Sequence, residues 1–312
     1  MANNINWGKI YESTAWGSGV TNNNINWGEI YVDDAGGGGA AALLDTYSGA
    51  LVAYSLRKLR SDYEGNAIRV TPDGSTFTDI GFDSNGDLDT ASLPSDSDLY
   101  VSTWYDQAAS NNLVMTSLAA MPVIKSSGSV IEVNSKPAVS FATGREMRVN
   151  SDATPTGNQI DVTSKNLTHL AVMDSDAAAG VREYIAIGAS SSNGRFQFRN
   201  QSGGSVSYQS GGQLFFFGYG GWDVPLFDPN IFILTHGDVG GNVKFYLNAL
   251  NPNTSTTTVN GTARHQMWRI AGSVSIHVST VKLSEYILWD SDYDSDVSDI
   301  NTAVNDYYGT YS

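Results

Sequence analysis

Two kinds of side chain in this sequence could do chemistry: carboxylates, and aromatic rings set beside them. Glutamates are few, at Glu12, Glu29, Glu64, Glu132, Glu146, Glu183 and Glu285. Glu183 and Glu285 fall in strand-like runs and could face a cleft. Carboxyl pairs about 5–5.5 Å apart serve as nucleophile and acid in retaining sugar hydrolysis, but no spacing here pairs two of them. Asp106, closing the run Trp104-Tyr105-Asp106, is the aspartate best placed to meet a ligand or an interface. The plainer reading of Asp106 is a turn residue or a buried hydrogen-bond acceptor. Lacking a carboxylate pair, the sequence predicts a protein that is not an enzyme.

Metal chemistry has one candidate. Asp83, Asn85, Asp87 and Asp89 place oxygen ligands at alternate positions, as calcium loops do. The glycine falls at the fourth place instead of the sixth, and no bidentate glutamate follows, so an Asx-rich turn is the competing reading. Calcium is the one cofactor suggested. The aspartates at 290, 292, 294, 296 and 299 read as a solvated helix start. The four histidines (His169, His236, His265, His277) are scattered through strand-like sequence with no second ligand nearby. There are no cysteines, which excludes disulfides, thiolate metal sites and a thiol nucleophile.

Aromatic residues cluster in Phe215-Phe216-Phe217-Gly218-Tyr219-Gly220-Gly221-Trp222. Side chains alternate faces along a strand, so three consecutive phenylalanines cannot all point inward. Tyr219 and Trp222, flanked by glycines, are expected on an exposed loop. There they could pack between subunits, stack on sugar rings or join the core.

The elements that must position these groups read as all-β. The charged fraction is only 16%, and polarity comes from Ser, Thr, Asn and 32 glycines, a mix suited to short strands and tight turns. The net charge of -15 disfavours nucleic acid and anionic membranes. No apolar run is long enough to span a bilayer, and the first residues lack the basic and apolar regions of a secretory signal.

Three regions follow along the chain. In residues 1–35, Asn3–Tyr11 returns as Asn23–Tyr31 with only Lys9 and Glu29 differing. Ile5, Trp7, Ile10, Tyr11, Trp16, Ile25, Trp27, Ile30 and Tyr31 carry more apolar surface than so short a segment can bury, each worth roughly 1.5–3 kcal/mol when covered. The arm is read as an anchor on a neighbouring subunit or another protein, with packing on its own sandwich as the alternative. Residues 36–44, rich in Gly and Ala, form a joint. Residues 45–312 form the sandwich. Within it the spacing of Leu51, Tyr54, Leu56 and Leu59 predicts a short helix over 45–60. Strands are expected at Ala67–Val70, Leu99–Tyr105, Ala138–Phe141, Leu167–Met173, Glu183–Ile187, Arg195–Arg199, Gln213–Phe217, Ile231–His236, Val243–Leu247, Val274–Ser279 and Leu283–Trp289. A closing helix is expected from Val297, Ile300 and Val304.

Two stretches carry resemblances. Tyr54–Arg60, Tyr63-Glu64-Gly65, Asp79–Phe82, Leu88–Ala91 and Trp104–Gln107 resemble the opening of the arabinofuranosidase-B-type catalytic domain. Lys136–Phe141, Val243–Asn248 and Leu283–Trp289 resemble laminin-G-like lectin modules. Both resemblances imply an antiparallel concanavalin A-like (jelly-roll) β-sandwich. The chain departs from the arabinofuranosidase pattern at Ala108–Asn112, where the family's glycine turn is missing, and no catalytic residue carries across. Such lectin-like modules, and an Asn-Trp-Gly arm, resemble structural proteins of bacteriophages. That resemblance implies a protein exposed on the virion surface, acting in assembly and host-surface attachment. The expected partners are other virion proteins, further copies of the chain in a trimer or lattice, and a host-surface glycan. The alternatives are a carbohydrate-binding adhesin and a glycoside hydrolase of arabinofuranosidase type.

Overall fold

The computed structural model describes residues 42–142, 144–149, 160–161, 166–175, 229–237, 241–248 and 280–311, together with the strands at 182–188, 195–201, 205–210, 213–218, 253–258, 266–267 and 269–271. For 182–218 the backbone pairing alone is described. The arm, with its anchor candidates Ile5, Trp7, Ile10, Tyr11, Trp16, Ile25, Trp27, Ile30 and Tyr31, lies outside the described residues. So do Tyr219, Trp222, His265, His277 and the strand expected at Val274–Ser279.

The architecture is an all-β antiparallel sandwich. The strands used below are β1 (Ala50–Ser55), β2 (Ile68–Thr71), β3 (Thr78–Ile80), β4 (Leu99–Trp104), β5 (Leu113–Val114), β6 (Val123–Ser126), β7 (Val139–Phe141), β8 (Glu146–Val149) and β9 (Leu167–Ser175). After them come β10 (Arg182–Gly188), β11 (Arg195–Gln201), β12 (Ser205–Ser210), β13 (Gln213–Gly218), β14 (Asn230–His236), β15 (Asn242–Leu247), β16 (Asn253–Thr258), β17 (Arg269–Ala271) and β18 (Val281–Trp289). Helix α1 is Leu43–Thr46 and α2 is Val297–Tyr308. The first sheet runs β1-β18-β9-β14-β15-β16. The second runs β3-β2-β4-β5-β8-β17-β10-β11-β12-β13. Strand β7 joins them at a corner, pairing with β18 on one side and β6 on the other, as strands do where sandwich sheets meet.

Between the sheets lies one core. Val52, Tyr54, Leu234, Phe245, Tyr286 and Leu288 of the first sheet meet Ile68, Val70, Ile80, Val101, Trp104, Leu113, Met147 and Val149 of the second. Tyr54 and Trp104 sit across the gap with ring centroids 6.3 Å apart, in the range of favourable aromatic pairs.

Residues 50–55, expected as part of a helix, form β1 instead. Helix α1 ends at Tyr47, which leaves the helical region at φ -110° and ψ 81°, and Gly49 at φ +81° turns the chain into the strand. From Val52 to Ser55 every residue is buried, because β1 is covered on both faces. Doubly covered strands read as continuous apolar runs, which helical spacing can mimic. The closing helix forms as expected. Val297, Ile300, Val304 and Tyr308 are buried against Ile287, Trp289 and Leu170 on the outer face of the first sheet. It ends at Gly309, in the left-handed conformation with φ 59°, the usual glycine cap of a helix C-terminus.

Candidate functional site

A sandwich offers two outer faces to a ligand, and here they differ. The first sheet's outer face is sealed by α1 and α2 over a second apolar cluster. Glu285 sits beneath this seal. A bulge in β18 places Val172 opposite Glu285 but Met173 opposite Leu283, leaving Ser284 as the extra residue. Leu283 before the bulge and Tyr286 after it both face the core. Glu285 is thereby turned toward α2. Its carboxylate is fully buried and bidentate to Arg57, with Nε to Oε2 at 2.8 Å and Nη2 to Oε1 at 3.0 Å. Ser55 Oγ (2.8 Å) and Tyr308 OH (3.2 Å) also donate to it. Arg57 lies over the rings of Tyr307 and Tyr308, and Tyr307 OH donates to Asp87. Burial and the neighbouring Glu285 push the Tyr308 phenol well up. The expected cleft position of Glu285 is therefore corrected: it clamps the closing helix to the sheet.

The second sheet's outer face carries no helix among the described residues, and one register rung crosses it, partly exposed at Arg69 and Asp79 and buried at Thr103. Asp79 pairs with Arg69, Arg69 with Thr103, Thr103 with Val114, and Val114 with Arg148. Their strand neighbours Ile68, Val70, Ile80, Leu113, Met147 and Val149 enter the core, so the rung points outward. Arg69 is bidentate to Asp79, Nε to Oδ1 at 2.8 Å and Nη2 to Oδ2 at 2.7 Å. Its side chain is 43% exposed. Tyr105 OH donates to Asp79 Oδ1 at 2.7 Å. Arg148 pairs with Glu146, its neighbour on the same face. The hydrogen bond from Arg69 holds the Asp79 carboxyl below the usual carboxylate range. Burial, and then the bond to Asp79, push the Tyr105 phenol up to about 12. The rung continues to residue 269. Phe77, 48% exposed, precedes β3 at the edge of this sheet.

The run Trp104-Tyr105-Asp106 divides three ways. Trp104 fills the core and its Nε1 donates to Ser55 O at 3.4 Å. Tyr105 joins the open face. Asp106 is buried as an acceptor for the backbone N–H groups of Ala53 (2.8 Å), Ala108 (3.0 Å) and Asn111 (3.1 Å). Burial raises its pKa despite those bonds. Of the three, Tyr105 alone is placed to meet a ligand.

The suspected calcium loop has its carboxylates directed to protein partners. Asp83 accepts from the N–H groups of Asn85 (2.8 Å) and Asp87 (3.0 Å). Asp87 accepts from Lys136 and Tyr307. Asp89 caps the short helical turn at Thr90–Ser92. Asn85 is exposed at the tip. Among the described residues no group of three or more His, Asp or Glu side chains is arranged to hold a metal ion. His169 Nδ1 lies 2.9 Å from Tyr286 OH inside the core, and His236 is buried at the end of β14. On the sealed side, a pocket of about 440 Å³ is lined by Leu44, Asp45, Ser48, Arg60, Asp62 and Ala108. Its polar groups are occupied locally: Asp45 accepts from Ser61 N, and Arg60 pairs with Asp62.

Sequence reasoning did not single out Arg69, Asp79 or Arg148. The signal was present as opposite charges at outward positions of Ile68-Arg69-Val70, Thr78-Asp79-Ile80 and Glu146-Met147-Arg148-Val149. What linked them was register, which pattern alone does not give.

No family model matches the chain, and no curated protein matches it. Among solved structures, an arabinofuranosidase complexed with arabinofuranosyl-α-1,2-xylobiose is similar with a TM-score of 0.64 and 13% identity, over 86% of this chain and 64% of the other. A mutant GH54 α-L-arabinofuranosidase soaked with 4-nitrophenyl α-L-arabinofuranoside is similar with a TM-score of 0.64 and 14% identity, over 86% and 65%. The chain thus spans just under two thirds of the length of these structures. At such identity the likeness establishes the fold, which is that of an arabinofuranosidase-type sandwich. The expectation that this is not an enzyme is corrected against this likeness, since both of these similar structures are arabinofuranosidases.

Proposed function

We propose that this chain is a carbohydrate-active β-sandwich that recognises arabinofuranoside-bearing glycans on the outward face of its second sheet. The fold shared with two arabinofuranosidases over 86% of the chain carries this reading. The open face supports it chemically. Paired guanidinium and carboxylate groups with a fixed phenol hydroxyl supply convergent donors and acceptors for sugar hydroxyls. The opposite face is sealed by apolar packing.

Two assays on the full chain test it. Release of 4-nitrophenol from 4-nitrophenyl α-L-arabinofuranoside reports hydrolysis, and retention on arabinose-substituted polysaccharide reports binding. Either result, weakened by Arg69→Ala, supports the reading. Silence in both overturns it.

The duplicated arm supports a second reading, compatible with the first. In it, the arm anchors the sandwich to other virion proteins or to further copies of the chain, and the sandwich meets a host glycan at the virion surface. It draws on the sequence repeat alone. Deleting residues 2–35 should then abolish incorporation into particles, and normal incorporation would defeat it.

A further inference from the structure

Asn85 stands at the exposed tip of the loop that follows β3, directly before Gly86. Glycine leaves its backbone nitrogen unshielded and free to approach the preceding side chain. The amide of Asn85 makes no hydrogen bond among the described residues. Two further Asn-Gly pairs, Asn193-Gly194 and Asn260-Gly261, lie outside those residues. We infer that Asn85-Gly86 is a site of spontaneous covalent modification, at which Asn85 loses ammonia and becomes an isoaspartate that loosens the hold on α2.

The chemistry consumes only water. The Gly86 nitrogen gives its proton to a solvent base and bonds to Asn85 Cγ. The Cγ–Nδ2 bond breaks, and ammonia leaves with a proton taken from solvent. Water then opens the resulting cyclic imide at either carbonyl. One opening leaves an aspartate at position 85, the other an isoaspartate whose main chain runs through Cγ. Local structure restrains the attack modestly. Gly86 N donates to Asp83 O at 3.1 Å, closing a four-residue turn with aspartate first and glycine fourth. One exposed turn bond is worth little net, so the folded chain should react within about tenfold of a free peptide, a difference of roughly 1.4 kcal/mol.

The consequence travels through Asp87. Lys58 N donates to Gly86 O at 2.7 Å, and Asp87 accepts from Lys136 Nζ and Tyr307 OH. Tyr307 packs edge-on against Tyr308 and beneath Arg57, the partner of Glu285. An isoaspartate adds one carbon to the main chain just before these contacts, and a negative charge beside Asp83 and Asp87. Gly86 O and Asp87 are thereby shifted from Lys58 and Tyr307, and the last turn of α2 loses its support.

Peptide mapping by mass spectrometry tests this on the full chain, kept at mildly alkaline pH and sampled over time. The peptide spanning 83–89 should gain about one mass unit and split into two products, one of them a substrate for an isoaspartate methyltransferase. Mapping separates this site from the other two pairs. Asn85→Gln, which would need a larger ring, should slow the gain about tenfold or more. Amides in the last turn of α2 should exchange with deuterium about tenfold faster in the aged chain than in the fresh one. Asn85→Asp carries the charge on a main chain of ordinary length and should stay close to the fresh chain. No mass gain at 83–89 while a free peptide of this sequence converts fully overturns the inference. Conversion with exchange in α2 unchanged, or equally fast exchange in Asn85→Asp, overturns the link from main-chain lengthening to the helix.

Discussion

Arg57 and Glu285, 228 positions apart in sequence, close a bidentate ion pair beneath the C-terminal helix. The pair joins the loop after the first strand of the sandwich to the last strand, and Tyr308 completes it from the helix. A carboxylate fully removed from water is tolerated only while its partners are present.

Replacing Arg57 with Met should therefore be costly. Removing one member of a buried pair leaves an uncompensated charge, and a loss of about 3–5 kcal/mol is expected in urea unfolding. The double variant Arg57→Met/Glu285→Leu should recover much of it. A single-variant loss below about 1 kcal/mol, the scale of an exposed pair, would show that the carboxylate is solvated.

Asp106 predicts a pH signature. Its folded pKa is raised above the ordinary 3.8 by burial. As pH rises past 3.8 the unfolded chain releases this proton while the folded chain keeps it. The associated stability is complete below that value and is lost as pH climbs through the folded pKa. Asp106→Asn keeps an acceptor for Ala53 but turns an amide toward Asn111 N, costing about 0.5–1.5 kcal/mol for the lost bond. The gap between wild type and variant should narrow as pH increases across that window. A gap that widens would contradict the assignment.

Gly309→Ala tests the end of the closing helix. An alanine at φ 59° is strained, and its Cβ would stand 3.1 Å from Asn134 Nδ2. That amide donates to the carbonyls of Tyr308 and Gly309. A loss of about 1 kcal/mol is expected; an unchanged midpoint of unfolding would mean that the cap is not left-handed.

On the open face, Tyr105→Phe removes one hydroxyl and its bond to Asp79. Glycan affinity should fall by about 0.5–1.5 kcal/mol with little change in stability. Asp79 is held below 3.8 by Arg69, so its contribution is present above that value and lost as pH falls through the lower folded pKa. Affinity measured from neutral pH downward should stay flat until the ordinary carboxylate value is passed. A decline beginning near neutrality would assign the binding to other groups.

Much of the fold was legible in the sequence because alternation marks strands with one wet face. Ala67–Val70, where Arg69 faces outward between the buried Ile68 and Val70, shows it. Leu167–Met173, buried on both faces, was marked by its length and apolar content, and Val297, Ile300 and Val304 marked the closing helix. β1 was misread because a strand covered on both sides has no polar beat. Asp106 could be read either way, and its three backbone donors made it an acceptor in a turn. The open-face cluster was hidden for a different reason. Asp79 and Arg69 become neighbours, and Arg148 falls on the same rung three strands away, only through strand register, which five separate strands set together.

Backbone amide shifts recorded while an arabinofuranosyl-substituted xylo-oligosaccharide is titrated into the full chain test the central claim most directly. The account predicts perturbations at Arg69, Asp79, Thr103, Tyr105 and Arg148, with the residues around Arg57 and Glu285 unmoved. Shifts confined to the helix-covered side, around Asp45 and Arg60, would contradict it.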